Sequence, residues 1–230
     1  MTELVSYRLD DGVATVRLCN GKVNAISPDV IAGLHGALDH SVLDKSIVIL
    51  TGQPGILSGG YDLKVMTSSP QNAMALVTSG SELARRMLSH PLPLIVACPG
   101  HAVAKGAFLL LCADYRLGAD GPFMIGLNEV AIGLTMHRVG IALARDRLRK
   151  SVFQRAVNNA EMFSPQAAKE AGFFDAVVSP DELMGAALAM AGQLKKINMS
   201  AHAKTKLKSR SELIETLNQA IEFDKTTGLA

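Results

Sequence analysis

Two short stretches, each with a glycine-bearing turn directly after an apolar strand, constrain the fold of this 230-residue chain more than any other feature. The first, ILSGGYDLKVM at residues 56–66, follows the apolar run at 47–51. The second, PGHAVAKGAFLLL at residues 99–111, follows the apolar run at 94–97. Each pattern predicts a strand, a turn and the start of a helix, where the first backbone N–H groups lack partners. Two such turns side by side could hold negative charge that develops on an oxygen atom.

The composition excludes several classes of protein. The chain is 48% hydrophobic, so disorder is not expected, and its net charge of +2 argues against an electrostatic nucleic-acid binder. Aromatic residues make up 4% of the chain and Trp is absent, so no base-stacking platform is expected. The N-terminus shows no signal or transit pattern, and the longest apolar run, 107–113, is too short to cross a bilayer. The three scattered cysteines predict reduced thiols in a cytoplasmic protein, with no metal site.

The order of the remaining patterns predicts an α/β fold. Alternating apolar residues at 4–18 indicate a hairpin, and Ser27 with Pro28 begins an amphipathic helix. Because strand, turn and helix recur four or five times, sequential crossovers are expected. The other predicted elements are a helix at about 71–89, a buried helix at about 106–112, a strand at 115–118, one basic helix after residue 136, a helix from Ser164 to Gly172, a strand at 174–178 and a helix from the capping box at 179–182 to about 196.

The last segment, about 197–230, differs from the rest in composition because it is charged, and it is predicted to be helical. Its apolar stripe comprises Leu207, Leu213, Ile214, Leu217 and Ile221. A terminal helix with such a stripe needs a surface to pack on, so we predict a core over 1–196 and a C-terminal helical oligomerisation module over 197–230. A solvated helix face is predicted for the basic residues Lys195, Lys196, Lys204, Lys206, Lys208 and Arg210.

Four segments in this order resemble the enoyl-CoA hydratase/isomerase (crotonase) family. They are NGKVNA at 20–25, GGYDL at 59–63, GHAVAKGAFLLLCAD at 100–114 and IGLNEVAIG at 125–133, and SPQAAKEAG at 164–172 is also similar. The resemblance covers nearly the whole chain. It implies a ClpP/crotonase-like spiral of ββα units with a C-terminal helical trimerisation region, assembled as a homotrimer or a dimer of trimers. It further implies an acyl-CoA thioester substrate, with coenzyme A as part of the substrate and no separate cofactor.

The same resemblance assigns the chemistry to a few positions. Two backbone N–H groups hold the thioester oxygen of an enolate intermediate, and they fall on Tyr61 and Lys105, with Gly106 as the fallback for the second. The family's hydratases use two glutamates. One falls on Glu129, whose apolar surroundings predict a raised pKa, and the other falls on Phe108, which has no carboxylate and is expected to line the acyl pocket.

Contacts with coenzyme A are implied for Lys22, Val23 and the turn formed by Gly60, Asp62 and Leu63. Lys225, or the basic residues before it, could reach the phosphates from a neighbouring subunit. The residues themselves also support simpler roles. Asp62 fits a helix N-cap, the Tyr61 ring fits a pocket wall, and His101 fits a core histidine. His137 and Arg138 fit either a substrate contact or a surface.

Three functions remain open from the sequence. A 3-enoyl to 2-enoyl shift needs one base, which Glu129 supplies, so Δ3,Δ2-enoyl-CoA isomerase is favoured. Hydration of a 2-enoyl-CoA in fatty-acid β-oxidation is the alternative, and it is weakened by Phe108. A non-catalytic relative that binds acyl-CoA or RNA is less favoured, because Glu129 is present and the chain is nearly neutral with few aromatic residues.

Overall fold

The computed structural model of the chain describes residues 4–228. Its strands are β1 (Val5–Asp10), β2 (Val13–Leu18), β3 (Ile47–Thr51), β4 (Gly55–Ser58), β5 (Leu94–Cys98), β6 (Gly100–Val103), β7 (Tyr115–Ala119), β8 (Ile125–Gly126), β9 (Met162–Phe163) and β10 (Ala176–Val178). Its helices are α1 (Pro28–Leu43), α2 (Leu63–Met66), α3 (Pro70–Ser89), α4 (Lys105–Leu111), α5 (Arg138–Arg147), α6 (Lys150–Asn158), α7 (Pro165–Ala171), α8 (Leu183–Leu194), α9 (Met199–Ser209) and α10 (Ser211–Thr227). Short 3₁₀ turns lie at Val130–Ile132 and Pro180–Glu182.

The strands form two sheets. The larger sheet has the order β1-β2-β3-β5-β7-β10 and is parallel from β2 onward, and the smaller has the order β4-β6-β8-β9. Every residue of β3 and β5 is buried. This follows from helices on both faces of the larger sheet, and it explains why these strands are continuous apolar runs rather than alternating ones. On one face, Leu183, Ala187 and Ala191 of α8 cover them.

Repetition of one unit links the two sheets. β3 leads into β4 and then α2, and β5 leads into β6 and then α4, so each of these two strands of the larger sheet continues into a strand of the smaller sheet and a helix. The ββα spiral and the α/β class are therefore confirmed. Most local predictions also hold. Ser27 Oγ accepts a hydrogen bond from the Val30 amide at the start of α1, and Gly172 ends α7 with φ of 104°.

Three element predictions need correction. The single basic helix is in fact two helices, α5 and α6, because Leu148 and Arg149 both adopt extended backbone between them. The strand predicted from residue 174 begins only at Ala176. The capping box between Ser179 and Glu182 is present, but it opens a 3₁₀ turn before α8, which ends at Leu194.

The C-terminal stripe is buried within the chain itself. Leu213, Leu217 and Ile221 are 8% exposed or less and belong to the main core, where α10 packs on α3 and α5. The surface that the stripe packs on is therefore the chain's own core, and both the oligomerisation module and the oligomeric state stay predictions. Leu207, by contrast, is 47% exposed.

The basic residues near α9 do not all form a solvated face. Lys206 is 5% exposed and its ammonium group contacts Asp114 at 2.6 Å, and Arg210 contacts the same carboxylate at 2.9 Å. Asp114 also accepts a hydrogen bond from the Leu94 amide at 2.8 Å. This cluster fixes α9 to the start of β5, so Asp114 has a structural role.

Candidate active site

The two turns that the sequence singles out lie next to each other. β4 and β6 are parallel neighbours, with Ser58 opposite Ala102, so the turns that follow these two strands leave the sheet at the same end. A β-carbon added at Gly60 would lie 3.8 Å from the amide nitrogen of Lys105. Within residues 4–228, neither the Tyr61 amide nor the Lys105 amide donates a hydrogen bond to a protein acceptor. Two backbone donors from adjacent turns therefore remain available to a ligand.

Small residues permit this close approach. Gly60 has φ of 112°, a conformation that residues with a side chain rarely adopt. A β-carbon at Gly106 would come within 2.2 Å of the Ser58 carbonyl oxygen, so α4 can touch β4 only because residue 106 is glycine. This gives Gly106 a packing role. Since the Lys105 amide is the one that approaches Gly60, Lys105 fits the second donor better than Gly106 does.

Glu129 is a buried carboxylate with an unused oxygen. It follows β8, which pairs with β6, and it is 8% exposed. Its Oε2 is buried and has no hydrogen-bond partner among the residues that the structure describes. Burial raises the pKa of Glu129 to about 7, so this group can both accept and return a proton near neutral pH. The pKa of the Tyr61 phenol is raised by burial and then by the charge of Glu129, which places the carboxylate within electrostatic range of the first turn.

Phe108 occupies an apolar position on α4. It is 1% exposed, and its ring meets the His137 ring edge-on with 5.3 Å between centroids. Burial, followed by the positive charge of Lys105, lowers the pKa of His137 to about 3. His137 is therefore a neutral ring packed on Phe108. Since a phenyl ring cannot bind or activate water, this position provides no second base.

The side chains of Tyr61 and Lys105 converge on a residue that the sequence analysis missed, Gly80 in α3. The Lys105 ammonium group donates a hydrogen bond of 2.5 Å to the Gly80 carbonyl oxygen. A β-carbon at Gly80 would lie 2.1 Å from the Tyr61 hydroxyl oxygen. That hydroxyl is buried and has no partner within residues 4–228. A glycine in the middle of a long helix costs about 1 kcal/mol relative to alanine, and this was the signal that could have drawn attention to position 80.

Three of the predicted contacts with coenzyme A are exposed, whereas Gly60 is buried. Lys22 and Val23 are exposed, and the Val23 carbonyl accepts a hydrogen bond of 2.8 Å from the Gly59 amide. Leu63 is 66% exposed. Asp62 caps α2 by accepting a hydrogen bond of 2.9 Å from the Lys64 amide, as the simpler interpretation predicted. The structure thus brings Val23 beside the glycine turn.

The remaining polar candidates have structural partners. His101 accepts a hydrogen bond of 3.0 Å from the Met124 amide, but it is half-buried, so it has a structural partner without being the predicted core histidine. Lys225 pairs with Glu82 at 3.3 Å and with Glu222 at 3.1 Å. Asn128 was not predicted, yet its buried Oδ1 is unpaired beside Glu129 in the described chain.

One groove on the surface does not include Glu129 in its lining. A groove of about 460 Å³ runs between α5 and α10 and is lined by Arg138, Ile141, Arg145 and Phe223, among others.

No group of three or more His, Cys, Asp or Glu side chains in residues 4–228 is arranged to hold a metal ion. In the same range, no helix is both long and apolar enough to span a membrane.

The paired turns, the buried carboxylate and the ββα spiral define an α/β enzyme of crotonase-like fold. The family described as enoyl-CoA hydratase/isomerase matches residues 8–228, and the chain belongs to this family.

Individual relatives agree with this assignment. The solved structure of an enoyl-CoA hydratase/isomerase family protein from Pseudomonas syringae is 70% identical, with a TM-score of 0.97 and 98% of each chain covered. The structure of an enoyl-CoA isomerase from Mtb is 37% identical, with a TM-score of 0.94, covering 99% of this chain and 100% of that one. The mitochondrial enoyl-CoA delta isomerase 1 of Mus musculus is 31% identical over 93% of this chain and 75% of its own length.

Proposed function

We propose that this enzyme is chiefly a Δ3,Δ2-enoyl-CoA isomerase, with weak hydratase activity at most. One observation carries the proposal. The site has a buried carboxylate suited to proton transfer, Glu129, while the position of the hydratases' second glutamate holds a buried phenyl ring, Phe108. A shift of the double bond needs one base, whereas addition of water needs a second group to hold and activate the water molecule.

The proposed reaction begins with the thioester oxygen between the Tyr61 and Lys105 amides. These donors stabilise the negative charge that forms on the oxygen when a proton leaves C2. Glu129 takes that proton, and the electron pair moves into a dienolate. Glu129 then returns the proton to C4, which leaves the double bond between C2 and C3. The apolar surroundings of Phe108 and His137 keep water away from the intermediate.

Binding of the substrate is proposed to involve the predicted residues beside the turns. Val23, which is exposed, and the turn at 60–63 contact the thioester arm, and Lys22 meets a phosphate of coenzyme A. Leu63 supplies exposed apolar surface at the same turn. Assembly as a homotrimer or a dimer of trimers, and a cytoplasmic location, remain predictions from the sequence.

Two assays run in parallel test the reaction. The first follows formation of the conjugated thioester from a 3-enoyl-CoA, and the second follows loss of that chromophore as crotonyl-CoA is hydrated. Glu129→Gln should lower the isomerisation rate by on the order of 10²–10⁴, because the general base is lost while the shape is kept. Glu170→Gln on the exposed end of α7 is the matched control and should retain full activity.

Wild-type enzyme that hydrates crotonyl-CoA rapidly and leaves 3-enoyl-CoA unchanged would contradict the isomerase assignment. Phe108→Glu gives a further comparison, since it restores a carboxylate at the position of the second glutamate. We expect it to increase the ratio of hydration to isomerisation. The absence of any gain in hydration, in a variant that remains folded by circular dichroism, would argue against the role assigned to Phe108.

A further inference from the structure

The chain contains two deeply buried lysines with opposite surroundings. Lys206 is 5% exposed and its ammonium group contacts the Asp114 carboxylate at 2.6 Å. Lys105 is 1% exposed, and no carboxylate within residues 4–228 forms an ion pair with it. Its ammonium group has the Gly80 carbonyl oxygen at 2.5 Å and the Tyr61 ring centroid at 5.7 Å. Among the residues that the structure describes, Lys105 is therefore a buried ammonium group without an ion-pair partner.

Such an arrangement is costly for a fold. Burying an unpaired ammonium group favours its neutral form, and burial lowers the pKa of Lys105 from 10.5 to about 8. The Gly80 carbonyl lies within α3, so the lysine is not needed to satisfy that helix. An uncharged side chain of similar length would fill the same space without the penalty. The positive charge of Lys105 is therefore not explained by the stability of the fold, and another role has to account for it.

Its position suggests that role. Lys105 is the residue whose backbone N–H belongs to the pair of free amides, and its ammonium group lies over the ring of Tyr61, the residue that carries the other amide. The reaction proposed above creates a negative charge between these two amides. The enolate therefore supplies a negative charge for the Lys105 ammonium group, and it does so only while the substrate is reacting.

We propose that the ammonium group of Lys105 is a fixed counter-charge that stabilises the enolate, in addition to the backbone N–H of the same residue. This inference rests on the proposed function, because it requires an enolate in the site. A unit charge held about one lysine side chain away from the oxygen, at an effective dielectric constant of about 20, changes the rate by on the order of 10- to 50-fold. The charge acts on the transition state more than on the neutral substrate, so it should affect kcat and leave KM nearly unchanged.

The titratable groups around Lys105 allow its protonation to be observed. The Tyr61 phenol and the Cys112 thiol both have pKa values raised by burial above their ordinary ranges, and the pKa of His137 is lowered to about 3. The charged residues of α3 are engaged elsewhere: Glu82 with Lys225, Arg85 with Asn218 and Arg86 with Asp39. Between pH 6 and 9, the groups of the site that titrate are thus Glu129, with a pKa of about 7, and Lys105, with a pKa of about 8.

The test uses two readouts on the full-length enzyme. The first is the pH profile of kcat/KM for isomerisation of a 3-enoyl-CoA. The second is exchange of the C2 protons of butyryl-CoA in D₂O, followed by NMR, which reports enolate formation even if isomerisation is absent. Wild-type kcat/KM should rise as Glu129 loses its proton and fall again as Lys105 loses its own. Lys105→Met should lower kcat and the rate of C2-proton exchange by on the order of 10- to 50-fold. It should also remove the decrease of kcat/KM at alkaline pH, while the increase of kcat/KM at acid pH remains.

Two further variants control for folding. Lys206→Met also removes a buried lysine, but away from the turns, and it should lower the melting temperature without changing kcat or the alkaline limb. Lys105→Gly keeps the amide and removes the ammonium group, so it should share the kinetic loss of Lys105→Met and can replace it if that variant does not fold.

The proposal is overturned if Lys105→Met or Lys105→Gly exchanges C2 protons as fast as wild type. A wild-type profile without a fall between pH 7 and 9, or wild-type enzyme without any exchange, also overturns it. Exchange without isomerisation refutes only the isomerase assignment, and the effect of Lys105 on exchange still decides this inference.

Discussion

Replacing Gly80 with alanine should show whether the packing of α3 against the Tyr61 ring positions the Tyr61 amide for the reaction. The new methyl group would lie 2.1 Å from the Tyr61 hydroxyl oxygen and 2.7 Å from its Cε1 atom. Both distances are far below van der Waals contact, and Gly80 belongs to a buried face of α3, so the Tyr61 ring has to move. Because the ring is attached to one of the two free amides, that amide should move with it.

The expected magnitude has two parts. Overpacking costs roughly 1–3 kcal/mol, and about 1 kcal/mol is regained because alanine favours the helix over glycine, so the net loss of stability should be about 0–2 kcal/mol. Complete loss of one oxyanion donor costs on the order of 10²–10³ in turnover. A displaced donor should cost less, on the order of 10- to 100-fold in kcat.

Chemical denaturation and the isomerase assay measure the two effects on the same samples. Gly185→Ala is the matched control, since Gly185 also lies inside a helix but a β-carbon there meets no atom within 4 Å. It should gain about 1 kcal/mol of stability with unchanged kcat. In a Tyr61→Leu background, Gly80→Ala should cause little additional loss of kcat because the clashing ring is gone. If Gly80→Ala retained wild-type kcat, the positioning of the amide by this contact would be disproved.

Other predictions concern the donors, the base and the assembly. Tyr61→Ala should retain measurable activity and Tyr61→Pro should lose on the order of 10²–10³ in turnover, because proline alone removes the N–H; abolition of activity by Tyr61→Phe would show that the phenol acts instead. Burial raises the pKa of Glu129 from 4.5 to about 7, so the folded state binds more protons between these values and its stability should fall as pH rises through that window. Glu129→Gln should remove this dependence and be more stable than wild type at pH 8 by roughly 3 kcal/mol, and equal denaturation curves at pH 8 would refute the assigned cause. Light scattering should detect a trimer or hexamer at micromolar concentration, and a stable monomer would exclude the predicted assembly.

The fold was largely predictable because its signals are local. The buried runs of β3 and β5, the cap at Ser27 and the αL stop at Gly172 each depend on a few neighbouring residues. The break between α5 and α6 was not predictable, because helical periodicity continues across Leu148 and Arg149 and only their extended backbone separates the helices.

Much of the candidate site was also visible in the sequence. The turns at residues 59–63 and 104–106 appear as small residues after apolar strands, and Glu129 appears as one carboxylate in an apolar segment. The direction of the Lys105 side chain was not visible, since a lysine in a turn is normally exposed and here contacts a residue 25 positions earlier.

The sequence by itself determined the succession of strands, turns and helices and the absence of a carboxylate at position 108, because each depends on residue type and short-range order. The tertiary structure alone decided what each buried group meets. It placed Gly80 against the side chains of Tyr61 and Lys105 and buried Leu217 against the chain's own core. It also gave Lys206 a carboxylate 92 residues away, while Lys105 has no such partner within residues 4–228. Such contacts join distant segments whose packing no local pattern encodes, and they set the electrostatic environment in which Glu129 and Lys105 act.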